Sequence, residues 1–227
     1  MAGIDQYTKL LLHCNGADAS TTFIDSAMGK AVTAVGNAQI DTAQSKFGGA
    51  SGLFDGSGDY LTVVDSTDWA FGTGNLTIDF WVRFAGASVQ MCVFFGQGTS
   101  INDRFYCYWE ANIIVVYHLT AGIGTTIYNK SWTPSVNTWY HVAIVRNGNN
   151  WDIYINGASL GTVSTSITIN DLAAVFVIGK NDQASSYYIN GWLDEIRISK
   201  GIARWTGNFT PPTSAYIRGG NALPFFM

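Results

Sequence analysis

The chain has 227 residues, 47% of them apolar and only 12% charged, and carries a net charge of −4. That is enough apolar mass for one large core, while a charged share well under the usual quarter or so leaves Ser, Thr, Asn and Gly to supply surface polarity. The weakly acidic balance lacks the basic footprint of a nucleic-acid binder, and the longest apolar stretches, such as Ile113 to Tyr117, are strand-sized and too short to insert in a membrane.

Met1-Ala2-Gly3-Ile4-Asp5 has neither the basic nor the apolar region of a secretory signal. The expectation is therefore a chain that stays where it is made, leaves by lysis, or has been trimmed. Residues 1–6 read as an arm. From residue 7 to residue 217 strand-like runs alternate with turn chemistry every eight to twelve residues or so, which predicts an all-β sandwich of two antiparallel sheets. Early strands are expected at 7–13, 31–35, 52–54 and 60–64.

The clearest strand is Leu76–Phe84. Leu76, Ile78, Phe80, Val82 and Phe84 alternate with Thr77, Asp79, Trp81 and Arg83, so one face enters a core and the other turns outward, where a loop or a second layer could cover Trp81. Further strands are expected at 91–95, 104–109, 112–119 and 125–128. Two runs, 139–146 and 151–155, are joined by Asn147-Gly148-Asn149-Asn150. These residues tolerate positive φ and predict a hairpin, continued by Asn156-Gly157 into a third strand over 159–163. Trp139 and Trp151 are expected to fill the core. The last strands fall at 175–179 and 192–199. In the second of these, alternation sends Asp194 and Glu195 to opposite faces. Residues 202–206 read as one helical turn, and Pro211-Pro212 ends the regular structure. The tail, 218–227, carries Leu223, Phe225, Phe226 and Met227 behind Gly219-Gly220. Its expected role is docking on a neighbouring subunit.

Chemistry is sparse. Cys14, Cys92 and Cys107 show no metal-ligand spacing and read as buried thiols. His141 lies inside a strand and reads as structural, and no Gly-x-Ser-x-Gly elbow accompanies the histidines. The sequence has two glutamates, Glu110 and Glu195, far apart in sequence, whereas a glycosidase needs two carboxyl groups flanking one bond. Sugar binding is better served. Asp103, Arg104, Tyr106, Tyr108 and Trp109 form one aromatic and polar cluster, and Tyr187 and Tyr188 a second. The alternatives are cross-strand packing for the first and a subunit contact for the second.

Six segments in order carry a resemblance. They are Lys9 to Asp18, Phe47 to Leu61, Leu76 to Val82, Trp139 to Ala143, Ile153 to Gly157 and Gly191 to Ser199. Together they resemble the laminin G-like jelly-roll family of the concanavalin A-like lectin/glucanase superfamily. The resemblance implies a jelly roll. It also implies a calcium ion near the sandwich edge, held by an early Asp-Ser loop and by the Asp of the Leu-Asp-Glu-Ile strand; here these are Asp25 and Asp194. Ala27-Met28 stands where that loop is commonly polar. The alternative is that Asp25 caps a turn and Asp194 bonds to backbone amides. Many glucanases of the superfamily also carry Glu-x-Asp-x-x-Glu on one strand, which this chain lacks.

The ending, Arg204 to Pro212, is similar to copies in bacteriophage and marine microbial structural proteins. The expected function is a non-enzymatic virion protein (a head decoration, fibre or tail component) with other virion subunits, a self-oligomer or cell-surface glycans as partners. A free extracellular lectin or carbohydrate-binding module is the alternative, and a glycoside hydrolase a more distant one.

Overall fold

The computed structural model describes residues 3–86 and 91–217. Over these residues the chain forms sixteen strands and one 3-10 turn, Thr67–Trp69. The first five strands are β1 (Thr8–Leu12), β2 (Val32–Val35), β3 (Gln39–Asp41), β4 (Ser51–Asp55) and β5 (Tyr60–Val63). Five long ones follow: β6 (Leu76–Phe84), β7 (Cys92–Ser100), β8 (Asp103–Glu110), β9 (Ile113–Thr120) and β10 (Ile123–Ser131). Then come β11 (Trp139–Asn147), β12 (Asn150–Ile155), β13 (Ala158–Ser159), β14 (Val163–Ser164), β15 (Phe176–Ile178) and β16 (Asn190–Lys200).

They make two antiparallel sheets. The first has nine strands in the order β13-β12-β11-β6-β16-β4-β3, with β1 beside β16 and β14 beside β12. The second has seven, in the order β10-β9-β8-β7-β15-β5-β2. This is the expected jelly-roll sandwich. Alternation builds its core: Phe80 and Val82 of β6 are buried at 2% and 0% exposure. The Phe80 ring meets Phe94 of β7 at 5.1 Å, so one contact spans both sheets. Trp151 and all three free thiols are buried as expected.

Four expectations change. The third strand of the meander splits into β13 and β14, because Gly161 at φ 105° breaks the run between them. β3, three residues long, has no period to read. Trp139 is only half-buried, since β11 sends its neighbours Val142 and Ile144 into the core cluster instead. Residues 202–206 form no helical turn. They begin an extended strap over the outer face of the first sheet, where Trp205 and Phe209 stack at 4.0 Å above Ala143, Val145 and Tyr154.

The strap continues past Pro212. The Tyr216 hydroxyl donates to Asp79 Oδ2 at 2.5 Å, and Ile217 O accepts from the amides of Gly3 and Ile4 at 3.1 Å. Arg204 also donates to the Asp5 carboxylate, at 2.9 and 3.1 Å. The described part of the 1–6 arm is thus stitched into the sheet with the strap. The apolar tail over 218–227 lies outside the described residues.

Candidate functional site

At one end of the sandwich β4, β6, β7 and β16 stop around an open cavity of about 280 Å³. Its lining includes the polar Asp55, Ser57 and Asn190, the aromatic Tyr187 and Tyr188, and Phe84 and Cys92. Local sequence builds this lining. Asp55 ends β4 opposite Asn190. Gly56, at φ 87°, turns the chain so tightly that a side chain there would press on Asn190. Asp55 Oδ1 then accepts the Ser57 amide at 2.8 Å. Behind it the buried Asp59 takes the Asp55 amide at 2.9 Å and the Asn37 amide at 2.5 Å. Burial raises the Asp59 carboxyl above its ordinary value of 3.8, and the neighbouring Asp55 adds to the rise.

Tyr187 has φ 64°, a left-handed backbone for an aromatic residue, and its side chain is 44% exposed. Such a conformation costs on the order of 1–3 kcal/mol and persists only where surroundings over-determine it. Here its carbonyl accepts the Val93 amide at 3.0 Å, carrying on beside β7 where β15 has stopped. Val93 pairs in turn with Tyr108, so the backbones of the two aromatic clusters expected from sequence flank the same residue of β7.

The first cluster divides by strand alternation. Tyr106 and Tyr108 stack at 5.6 Å on the outer face of the second sheet, and Tyr117 of β9 joins Tyr106 at 5.7 Å. All three are half-buried. Burial lifts the Tyr106 phenol to about 12 and raises that of Tyr108, so both keep their protons at neutral pH and can donate. Trp109 is corrected. It shares the inward face with Phe105 and Cys107, is 3% exposed, and gives its indole N–H to Trp132 O at 2.8 Å. Arg104 is on the outer face but committed. It is buried under Tyr106 at 4.3 Å and held by Asp182 and Asn181. Asp103 serves a turn, accepting the Ala121 amide at 2.9 Å and the Ser100 hydroxyl at 3.3 Å.

Sequence reasoning missed Asp55, Asn190, Tyr117 and Asp182. A signal for Asp182 existed in Gly96 and Gly98 of β7. A Cβ on Gly96 would come within 2.9 Å of Asp182 Oδ1, and one on Gly98 would clash outright. Two glycines inside a strand mark close approach by another chain segment.

A family model described as the concanavalin A-like lectin/glucanases superfamily matches residues 55–204, well over half of the chain. The chain belongs to this superfamily. No curated protein matches it in sequence. Among solved structures, this lectin-like chain is similar to the binding domain of Paraclostridial Mosquitocidal Protein 1 (TM-score 0.67, 15% identity, 86% of this chain and 49% of that one). It is also similar to domain 4 of AbnA, a GH43 extracellular arabinanase from Geobacillus stearothermophilus, in complex with arabinotriose (TM-score 0.64, 19% identity, 87% and 95%). A third likeness is to a botulinum neurotoxin type C structure whose cell entry depends on two ganglioside molecules (TM-score 0.62, 16% identity, 86% and 48%). The chain spans about half the length of the toxin binding domains it matches. No helix among the described residues is long and apolar enough to cross a membrane.

The superfamily implies calcium at Asp25 and Asp194, and the donor sets decide the fit. Asp25 Oδ1 accepts the amides of Leu11 and Ala27 at 3.0 and 2.9 Å, and Oδ2 those of Met28 and Lys30 at 3.2 and 3.0 Å. A carboxylate has about four lone-pair sites, so these amides occupy it. Asp194 Oδ2 accepts the amides of Lys46 and Phe47 at 2.9 and 3.0 Å, while Oδ1 is buried with no partner. No three His, Cys, Asp or Glu side chains gather to hold a metal among the described residues. With three of their four carboxylate oxygens held by amides, the two aspartates are a poor fit to Ca²⁺, which draws much of its shell from carboxylates. The amide contacts are those of the alternative arrangement, with Asp25 at a turn and Asp194 on backbone amides.

Asp194 and Glu195 also need correction. A β-bulge interrupts the pairing of β16 with β6 between Asp194 and Arg197, with Glu195 at φ 51°. The extra residue resets the alternation. Ile196 still reaches the core, and Glu195 instead pairs with His13 at 2.6 Å and accepts the Tyr216 amide at 2.8 Å. The two carboxylates are neighbours: Glu195 helps raise the Asp194 carboxyl to about 7, after the larger effect of burial.

Proposed function

We propose that this chain is a non-catalytic glycan-binding module whose sugar site is the cavity lined by Tyr187, Tyr188, Asp55, Ser57 and Asn190. The observation that carries the reading is Tyr187: a partly exposed residue on a left-handed backbone, at a cavity that a carboxylate, a hydroxyl and an amide also line. An aromatic ring supports the C–H face of a sugar, and the three polar groups suit its hydroxyls. At about 280 Å³ the cavity is near the lower end of the range of small-ligand sites, which starts at roughly 300 Å³. Among its described lining residues one is a carboxylate, and cleavage of a glycosidic bond usually takes two. The outward Tyr106, Tyr108 and Tyr117 extend the site along the second sheet. The arabinotriose held by the similar arabinanase domain supports the same reading.

The setting we propose is a bacteriophage particle, as a head decoration, fibre or tail component. Its support is the resemblance carried by Arg204 to Pro212. Mass spectrometry of purified particles tests it, and absence of the chain from every particle would remove it. The sugar site is tested by calorimetric titration with a panel of oligosaccharides, arabinotriose included. Tyr187→Ala is expected to weaken binding at least about tenfold, equivalent to about 1.4 kcal/mol, with the melting temperature held. Binding that survives this change intact places the sugar elsewhere.

A further inference from the structure

We infer that the cavity selects uncharged sugars and discriminates against acidic ones such as sialic and uronic acids. This rests on the sugar-binding reading and deepens it. An acidic sugar brought out of water needs a cation or a fork of donors to offset its charge. Among the described residues that line the cavity none is Lys, Arg or His, and one, Asp55, is a carboxylate. Asp59 sits directly behind it, on the Asp55 amide at 2.9 Å. A carboxylate entering the cavity therefore faces the like charge of Asp55, with Asp59 at its back.

The cations described on neighbouring strands and loops pack against other groups and are not among the residues that line the cavity. The Arg83 guanidinium lies over the Trp192 ring at 4.8 Å, and the Lys180 ammonium over the Tyr60 ring at 4.2 Å. Arg104 is enclosed by Asp182, Asn181 and Tyr106. The net charge of −4 adds a weak long-range bias in the same direction. For an uncharged sugar the same carboxylate is an advantage, because its acceptor oxygens can take hydroxyl protons in charge-assisted hydrogen bonds.

The test uses matched pairs on the whole chain: lactose against sialyllactose, and galactan against galacturonan oligosaccharides of equal length, with arabinotriose as a further uncharged probe. The expected result is binding of uncharged members at least about tenfold tighter than their acidic partners. The gap should narrow at high salt, which screens the repulsion. Asp55→Asn keeps the acceptor for the Ser57 amide but drops the charge, and it should shrink the ratio even if it weakens every ligand. Acidic members bound as tightly as uncharged ones, with Tyr187→Ala abolishing both, would overturn the selectivity and leave the sugar site standing. No binding by any member would overturn the sugar site and this inference with it.

Discussion

The outer faces of the two sheets differ sharply in what they do with polar and aromatic side chains. On the first sheet the strap over 202–217 seals them in. Asp79, Arg197 and His141 are fully buried, and Tyr216 closes the set from above. Tyr106, Tyr108 and Tyr117 on the second sheet remain half-open and lead toward Tyr187 at the cavity. On the sealed side the Asp79, Arg197 and Tyr216 contacts are internal, so that chemistry is spent on stability. The open side leaves rings and hydroxyls available to a ligand. Site and scaffold are therefore separable, and mutations should separate them.

The largest effect is expected on the sealed side. Arg197 Nε and Nη2 donate to the two Asp79 oxygens at 2.9 and 3.1 Å. Asp79→Ala leaves Arg197 uncompensated and should cost about 3–5 kcal/mol in denaturant unfolding. Burial alone would raise the Asp79 carboxyl, but Arg197 and His141 overcome it and hold it at about 2 against an ordinary 3.8. The folded state thus releases this proton more readily than the unfolded one. Its stabilisation is complete above about pH 4 and drains as pH falls toward about 2. A melting curve that stays flat from pH 5 to pH 2 would break the account of the sealed face.

A smaller effect, opposite in sign, is expected at Asp194. Its carboxyl lies near 7, chiefly through burial. The folded state holds this proton more tightly than the unfolded one, so stability falls as pH rises from about 4 to about 7 and is level beyond. Asp194→Asn keeps an acceptor for Lys46 and Phe47 and should be more stable than the parent at pH 8, by on the order of 1–3 kcal/mol. A chelator should leave the melting temperature of both proteins unchanged. A drop in the parent alone would return Asp25 and Asp194 to the calcium role.

Much of the scaffold was legible because a buried face imposes a period. Leu76–Phe84 declares both its ends and its inward residues, and the Asn/Gly turn after Asn147 declares a hairpin. What escaped involves features without a period or contacts between distant segments. A single inserted residue at Glu195 resets a strand invisibly, and a three-residue strand such as β3 has no alternation to show. Trp109 was grouped with its sequence neighbours although alternation puts it on the opposite face from Tyr108. Half of the candidate site could be named as the aromatic pair Tyr187-Tyr188. Its polar part could not, because Asp55 and Asn190 meet only through sheet pairing.

The smallest stability change is expected on the open side. Tyr108→Ala removes a half-buried ring and should alter unfolding by under about 1 kcal/mol. If the tyrosine face extends the site, the same change weakens long oligosaccharides while sparing a single sugar. Equal loss for short and long ligands would assign Tyr108 to the cavity itself, and no loss for either would make its stack with Tyr106 purely structural.

The most direct test is a crystal structure of the chain with its tightest-binding oligosaccharide. The account predicts one sugar ring against Tyr187, with its hydroxyls within hydrogen-bond distance of Asp55 or Asn190. A sugar seated on the strap of the first sheet, or on the Tyr106 to Tyr117 face with the cavity left to water, would contradict it.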